Sequence, residues 1–256
     1  NSFFDDNPAE RELVKEFLPE VEVIDTQEDP ALYISELDQA RCFDWAQLTL
    51  EDVERSASFV QNKKRIQLQK SIVDYDDYLK SLEMEASIGN VSSINIVRFS
   101  QLINKTNQFN LRTKRFTEAE IETMSRNSKK FKLIYISLKD KFGSYGLISS
   151  IILEKKNNTV FINTWVMSCR VFKREIEGLA LSAIIEVANK WDCNMIIGEH
   201  IPTDKNIILN NLYSDLGFDR IKKNSLNNYT FEGTPYYQKT SSTKYNTSHH
   251  ISLKHE

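Results

Sequence analysis

The fold of this chain is organised around the stretch NTWVMSCRVFKREIEGLALSAIIEVANKW, residues 163–191. Its first residues are β-prone, and after a short turn apolar residues recur at the i, i+3, i+4, i+7 spacing of a buried helix face. The turn carries Arg170, Lys173 and Arg174. Unpaired N–H groups and the positive end of the helix dipole favour an anion there. The turn is therefore either a phosphate site or a solvated basic loop.

Residues 83–233 around this stretch predict one α/β domain. The pattern gives a strand at 84–88, helices at 94–104 and after Thr117, a hairpin of 132–139 with 145–154, strands at 159–168 and 194–200, a helix at 206–216 ended by Gly217, and a last strand at 229–231. In the first of these helices Ile94, Val97, Phe99, Leu102 and Ile103 are predicted to face inward. Residues 234–256 are polar and Ser/Thr-rich, which predicts a flexible tail with little fold.

Residues 1–40 predict a separate strand, helix, strand and helix, the alternation of an α/β unit. Asp5 and Asp6 follow the first strand, at the edge where α/β sheets place ligands, and two carboxylates suit Mg²⁺. The same run, continued by Asn7 and Pro8, also fits a turn and helix cap. The chain opens on this strand without an initiator Met, so we expect the C-terminal part of a longer polypeptide.

Residues 41–82 predict a helical linker, because the helix there is highly charged and has only a thin apolar stripe. The whole chain has 40% hydrophobic and 27% charged residues and a net charge of −3, which is globular and gives no basic character for nucleic acid. It has no signal-peptide pattern and no long apolar run, so we expect a cytoplasmic protein without a membrane partner. Neither GxGxxG nor a P-loop pattern occurs.

The element order over residues 84–233 resembles the GNAT (Gcn5-related N-acetyltransferase) fold, a mixed sheet flanked by helices. In that family an R/QxxGxG/A turn binds acyl-CoA, and residues 170–175, RVFKRE, lie at its place. The resemblance implies that acyl-CoA or a phosphopantetheine thioester is bound by Thr164, Val166, Met167, Ser168, Arg170, Val171, Lys173, Arg174 and Asn206. It also implies that Tyr213, in the block YSDLGF, is the general acid that protonates the leaving thiolate.

Five blocks extend this resemblance to the FkbH-like family, in which a haloacid-dehalogenase (HAD) phosphatase-type domain precedes a GNAT-like domain. They are FDDNP, SLEME, TNQFNL, MSCRV and IPTDKN, starting at residues 4, 81, 106, 167 and 201. The family implies glyceryl transfer to an acyl carrier protein in polyketide-type pathways. The expected partners are this carrier protein and a HAD domain of the same polypeptide. TNQFNL would place Asn107, Gln108 and Asn110 at the acceptor cleft, unless it is a loop that satisfies its own backbone.

Two departures from these families limit what the resemblance implies. The HAD nucleophile, an Asp in a DxD motif on the first strand, is absent, so Asp5 and Asp6 hold Mg²⁺ only with an intact HAD domain. Lys173 and Glu175 replace both turn glycines, which otherwise let backbone N–H groups approach the pyrophosphate. The chain is therefore either an acyltransferase or a non-catalytic docking module for a carrier protein or the HAD domain.

Two further residues are predicted to be structural. Cys169 has no companion histidine in reach, so it is interpreted as a core thiol in a reducing compartment, like the other widely spaced cysteines. His200 is interpreted as a core residue at the end of a strand.

Overall fold

The computed structural model describes residues 2–27, 29–40, 50–221, 236–241 and 250–255. The chain divides into two units, Asn1–Ala57 and Ser58–Glu256. Within the described residues, no helix is long and apolar enough to cross a membrane.

The first unit is a small parallel α/β motif. Strands β1 (Ser2–Phe4) and β2 (Glu22–Ile24) pair in parallel, helix α1 (Pro8–Phe17) connects them, and helix α2 (Tyr33–Ala40) follows. Helix α1 begins where the sequence predicts, with Pro8 in its first turn and the Asn7 side chain accepting from the Ala9 N–H. The predicted strand–helix–strand–helix order is confirmed, and the origin of this unit as the end of a HAD-type domain stays a prediction.

The second unit is built on a mixed sheet of eight strands among the described residues. Helix α3 (Leu50–Ser71) crosses the division between the units. The elements after it are α4 (Tyr75–Ser81), β3 (Met84–Asn90), α5 (Ile96–Lys105), α6 (Glu118–Arg126), β4 (Phe131–Asp140), β5 (Gly143–Lys156), β6 (Thr159–Met167), α7 (Ile176–Lys190), β7 (Met195–Glu199), α8 (Leu212–Asp215), β8 (Asp219–Ile221), β9 (Tyr236–Thr240) and β10 (Ile251–His255).

The strand order in this sheet is β10-β3-β4-β5-β6-β7-β9-β8. All neighbours are antiparallel except β10 with β3 and β6 with β7. Residues of α4, α7 and α8 share one hydrophobic core with the sheet. Residues of α5 and α6 form a second core on the opposite face, with the side chains of β4 and β5 that point to that face. The predicted α/β fold, a mixed sheet flanked by helices, is confirmed, and the order of elements from β3 to β8 is the one that the GNAT resemblance implies.

The predicted flexible tail is wrong for two segments, because β9 and β10 belong to the sheet. Strand β9 lies between β7 and β8, and its Tyr236 and Tyr237 are buried. Strand β10 pairs with β3 from Ile251 to His255. Backbone hydrogen bonding along existing strand edges orders these polar residues, and this pairing has no signature in their own composition. The strand predicted at 229–231 lies outside the described residues.

Two details of the predicted helices are also wrong. Ile94 is 93% and Val97 is 45% exposed, whereas Phe99, Leu102 and Ile103 face inward as predicted. The helix predicted at 206–216 is broken into a 3₁₀ turn, Ile207–Leu209, and the short α8. Gly217, with a φ of 75°, ends α8 in the left-handed conformation that glycine favours.

Candidate functional site

Strands β6 and β7 diverge after a short stretch of parallel pairing. They pair only from Thr159 to Phe161 on β6 and from Met195 to Ile197 on β7. The rest of β6 has β5 along one edge and a segment of three residues, 109–111, along the other. We call this segment the strap and the space it occupies the slot.

The strap is hydrogen-bonded on both sides as a strand would be. The Met167 N–H donates to the Phe109 carbonyl at 3.1 Å, and the Leu111 N–H donates to the Trp165 carbonyl at 3.5 Å. On the other side, the Ile201 N–H donates to the Leu111 carbonyl at 2.8 Å. The edge of β6 that faces the slot is therefore engaged by the chain itself.

Side chains of the strap alternate between the two faces of the sheet. Phe109 and Leu111 are 1% exposed and belong to the core around α7, where the Phe109 ring lies 5.8 Å from that of Trp165 and 5.6 Å from that of Phe172. Asn110 is fully buried, and its Oδ1 accepts from the Thr113 N–H at 2.8 Å. The strap is thus anchored by apolar packing on one face and by an amide on the other.

Two buried polar contacts join the strap to the end of β7. The Asn206 Nδ2 donates to the Asn110 carbonyl at 2.9 Å and to the Ile201 carbonyl at 3.0 Å. Arg112, which follows the strap, forms an ion pair with Glu199, and both side chains are at most 5% exposed. Asn206 was predicted to bind a cofactor from a helix shared with Tyr213; in the structure it precedes a 3₁₀ turn and holds the strap.

The structure places the β6 residues that were predicted to bind a pantetheine arm next to the block TNQFNL, which was predicted to line the acceptor cleft. Val166 and Met167 lie beside the strap, so the backbone positions predicted to bind a pantetheine arm are bonded to residues of TNQFNL. Asn107 is exposed and accepts from Arg115 through Oδ1, and Gln108 is exposed. Thr164 is buried and Ser168 donates its N–H to the Ile148 carbonyl on β5. An acceptor-cleft role for Asn107, Gln108 and Asn110 stays a prediction.

The cationic turn lines a cavity of about 480 Å³, which we call the cationic cavity. It is lined by Gln69, Tyr75, Tyr78, Arg170, Phe172, Lys173 and Arg174. The three predicted cations are thus brought together, and the linker helices α3 and α4 supply the rest of the polar lining, which the sequence did not predict. The buried Val171 lies in the adjoining 3₁₀ turn and does not line the cavity.

The three cations differ in how they are held. Arg170 donates from Nε to Ser168 Oγ and from Nη2 to the Tyr145 carbonyl, both at 3.2 Å. Lys173 is exposed, and its carbonyl accepts from the Tyr75 hydroxyl at 2.7 Å. Arg174 is 8% exposed, and its buried Nη1 has no hydrogen-bond partner among the described residues. Nη1 lies 3.6 Å from Asp140 Oδ2, within ion-pair distance but too far for a hydrogen bond, so its hydrogen-bonding capacity is not used.

The turn keeps a glycine-like backbone without its glycines. Lys173 has a φ of 61° and Glu175 a φ of 62°, the left-handed region that costs a residue with a Cβ about 1–2 kcal/mol. Glu175 is also the N-cap of α7, and its side chain makes no capping hydrogen bond. Lys173 and Glu175 therefore hold a backbone conformation that glycine adopts more easily, at the expense of strain.

We expect Glu175→Gly to stabilise the protein by about 0.5–1 kcal/mol, because relief of the left-handed strain exceeds the added entropy of the unfolded chain. Urea unfolding measures the gain. Glu175→Ala is the matched control, since it removes the carboxylate but keeps a Cβ at the same φ. An equal gain in both variants would show that charge, and not backbone strain, is responsible.

Tyr213, the predicted general acid, lies in a closed aromatic cluster. It is 1% exposed, and its ring centroid is 5.0 Å from that of Phe218, 5.1 Å from that of Tyr237 and 6.5 Å from that of Trp165. Burial raises the pKa of the Tyr213 phenol far above its ordinary value. The phenol therefore keeps its proton at all physiological pH values, and its role as an acid stays a prediction.

Asp5 and Asp6 lie in the turn before α1, and Asp5 takes part in that turn through its side chain. The Asp5 Oδ1 accepts from the Asn7 N–H at 2.8 Å, and Asn7 caps α1. Within the described residues no group of three or more His, Cys, Asp or Glu side chains is placed to hold a metal ion. The Mg²⁺ role of Asp5 and Asp6, which the resemblance implies only with an intact HAD domain, stays a prediction.

The two residues predicted to be structural have different outcomes. His200 is 1% exposed, which confirms a core residue at the end of β7. Cys169 is exposed, so the prediction of a core thiol is wrong. It begins the 3₁₀ turn after β6, where the chain leaves the sheet and turns this side chain outward.

Burial lowers the pKa of His200 below its usual 6.5, although a hydrogen bond with the Asn206 side chain acts in the opposite direction. The unfolded chain therefore takes up a proton at a higher pH than the folded protein does. Because the unfolded state binds more protons below about pH 6.5, stability falls as the pH drops through that value. We expect His200→Gln to reduce this slope by up to about 1.4 kcal/mol per pH unit. Urea unfolding between about pH 7 and pH 5 tests it, and equal slopes in both proteins would contradict it.

The second unit has a mixed α/β fold with a large sheet flanked by helices, and this chain is similar to several solved structures. One is an acetyltransferase of the GNAT family from Staphylococcus aureus, with 17% identity and a TM-score of 0.49, covering 61% of this chain and 99% of that chain. The ribosomal-protein-S18-alanine N-acetyltransferase of Escherichia coli has 12% identity and a TM-score of 0.43, covering 62% and 96%.

A third is the spermidine N-acetyltransferase of Vibrio cholerae in complex with CoA and spermine, with 9% identity and a TM-score of 0.44, covering 62% of this chain and 96% of that chain. No protein-family model matches this chain, and no curated protein matches it.

Proposed function

We propose that the second unit is a GNAT-like acyltransferase domain that binds the phosphate end of acyl-CoA, or of a phosphopantetheine thioester on an acyl carrier protein, in the cationic cavity. The observation that carries this proposal is the buried, unbonded Nη1 of Arg174 beside Arg170 and Lys173. A phosphate oxygen is the acceptor that a guanidinium group in this setting favours.

The residues present fit the two parts of such a ligand differently. The cationic cavity suits phosphates by charge and by the backbone conformation of the turn. The slot does not fit a pantetheine arm while the strap is in place, because the strap holds the hydrogen bonds of Trp165 and Met167. Acyl transfer along β6 would therefore require the strap to leave, and acyl-CoA would supply the activated thioester once its pantetheine arm was bound.

The strap favours a second candidate, a non-catalytic docking module for a carrier protein or for a HAD domain of the same polypeptide. In this alternative the slot stays closed, and the chemistry lies in a HAD-type domain. Glyceryl transfer in polyketide-type biosynthesis is the pathway class that the FkbH-like resemblance implies for either candidate.

Calorimetric titration with CoA and with its nucleotide half, 3′,5′-ADP, separates these candidates. Tighter binding of CoA than of 3′,5′-ADP supports the acyltransferase, because only CoA gains from an opened slot. Equal binding of both supports the docking module with a working phosphate site. No binding of either by folded protein would overturn the proposed phosphate site. The variant Arg174→Gln checks that binding occurs at the cationic cavity. We expect it to lower the affinity for both ligands by about tenfold or more, since it removes a charge-assisted hydrogen bond.

A further inference from the structure

A buried carboxylate, Asp140 at the end of β4, lies directly behind the cationic cavity. Its side chain is fully buried and accepts two hydrogen bonds from Arg65 of α3, from Nε at 2.7 Å and from Nη2 at 2.8 Å. It also accepts from the Tyr145 hydroxyl at 3.0 Å and from the Phe142 N–H at 2.9 Å. Burial alone would raise the pKa of Asp140, but the hydrogen bonds and charge of Arg65, together with the bonds from Phe142 and Tyr145, lower it, so the group is an anion.

Two arginines lie within ion-pair distance of this one carboxylate. Arg65 and Arg174 both lie over the ring of Tyr145, with guanidinium carbons 4.1 Å and 5.1 Å from its centroid. Arg65 holds both Asp140 oxygens in a bidentate pair, whereas Arg174 Nη1 is 3.6 Å from Oδ2, too far for a hydrogen bond. The bidentate pair is the stronger one, so Nη1 of Arg174, a residue that lines the cavity, is left without a hydrogen bond.

We propose that Arg65 is a positioning residue of the cationic cavity: by holding both oxygens of Asp140 in a bidentate pair, it keeps Arg174 at ion-pair distance without a hydrogen bond to that carboxylate, and leaves Arg174 to bind the anionic ligand. Helix α3, which lies before the GNAT-like sequence pattern, thereby becomes a working part of the site, and its Gln69 lines the same cavity. This inference rests on the proposed phosphate site and adds a residue to it that does not touch the ligand.

The physical basis is competition for one acceptor. Without Arg65, Asp140 would be a buried carboxylate without its strongest partner, which costs several kcal/mol. Arg174 is the nearest remaining cation to Asp140 among the described residues, and a small rotation of its side chain would close the 3.6 Å gap. That movement would neutralise the cation that the cavity offers to a phosphate. Loss of Arg65, which does not line the cavity, is therefore expected to weaken anion binding by changing Arg174, which does.

Titration of the full chain with 3′,5′-ADP tests this in three variants. Arg65→Gln is expected to weaken binding about tenfold, the effect of losing one charge-assisted hydrogen bond to the ligand. Arg65→Gln combined with Asp140→Asn leaves no carboxylate to capture Arg174, so its affinity is expected to return to within about twofold of the unmutated protein. Arg65→Lys keeps the charge but not the bidentate geometry, and its affinity is expected to lie between those of the unmutated protein and Arg65→Gln.

The double variant makes the test decisive, because a purely structural role for Arg65 predicts no recovery of affinity. If Arg65→Gln fails to fold, the double variant and Arg65→Lys still give the comparison, since two amides can replace the buried ion pair. If the unmutated protein binds 3′,5′-ADP and the double variant binds it about tenfold more weakly, the inference is overturned. Absence of binding by the unmutated protein would overturn the proposed phosphate site, and the inference with it.

Discussion

Replacement of Arg112 by Met is expected to lower the free energy of unfolding by about 3–5 kcal/mol, the cost of leaving a buried charge without its partner. Arg112 pairs with Glu199, whose side chain is fully buried, and also donates from Nη1 to the Asn163 carbonyl at 2.7 Å. Met fills much of the same volume, so the loss comes from the charge and not from a cavity. Urea unfolding at neutral pH measures it.

The matched control for this variant is Arg126→Met. Arg126 also forms an ion pair, with Glu122 at 2.7 Å, but its side chain is 76% exposed. An exposed pair one helical turn apart contributes at most about 0.5 kcal/mol. If Arg112→Met lowers the free energy of unfolding by no more than Arg126→Met does, the buried Arg112–Glu199 pair stabilises the protein no more than an exposed pair.

The same variant is expected to loosen the strap, because Arg112 directly follows it and Glu199 ends β7. Hydrogen exchange measures this at the amides of Leu111, Met167 and Ile201, which close the slot. We expect these three amides to exchange faster in Arg112→Met by more than the global loss of stability explains. Equal acceleration of every amide would show that the pair stabilises the whole unit and not the strap.

Gly198→Ala is expected to cost about 2–3 kcal/mol, near the upper end of ordinary overpacking. A Cβ at position 198 would lie far inside van der Waals contact with the ring of Tyr213. That ring has no room to move, because Trp165, Phe218 and Tyr237 surround it. The strand therefore needs glycine for the space that a side chain would fill. Thermal unfolding measures the loss.

Gly89→Ala on β3 is the control for this prediction. A Cβ there would also meet a tyrosine ring, that of Tyr135, but this side chain is only half-buried and can turn away. We expect a cost below about 1 kcal/mol for this variant. If both substitutions cost the same, the aromatic cluster around Tyr213 is not rigid.

The parts of the fold that depend on local pattern were predictable from the sequence. Helix α7 was found from its apolar spacing and is buried along that face, and the start of α1 was found from Asn7 and Pro8. The hairpin of β4 and β5 was likewise placed, since its strands and turn are adjacent in the chain. In each case the residues that decide the structure lie within about 20 positions of one another.

The parts that depend on distant pairing were not predictable. The block TNQFNL was recognised as unusual, but its place between β6 and β7 follows from bonds to residues 54 or more positions away, such as Leu111 with Trp165. Similarly, Arg65 and Asp140 are 75 residues apart, and no spacing in the sequence joins them. The composition of residues 234–256 did not indicate β9 and β10, because these polar strands are ordered by pairing with the edges of β3 and β7.

The torsion angles of Lys173 and Glu175 have a consequence for how such domains are recognised. A signature written in amino-acid letters requires glycine at both positions and passes over this turn. A signature written in backbone dihedrals does not depend on the residue type, because φ values of 61° and 62° occur here without glycine. The hydrogen bond from the Tyr75 hydroxyl to the Lys173 carbonyl helps to hold the chain in this conformation.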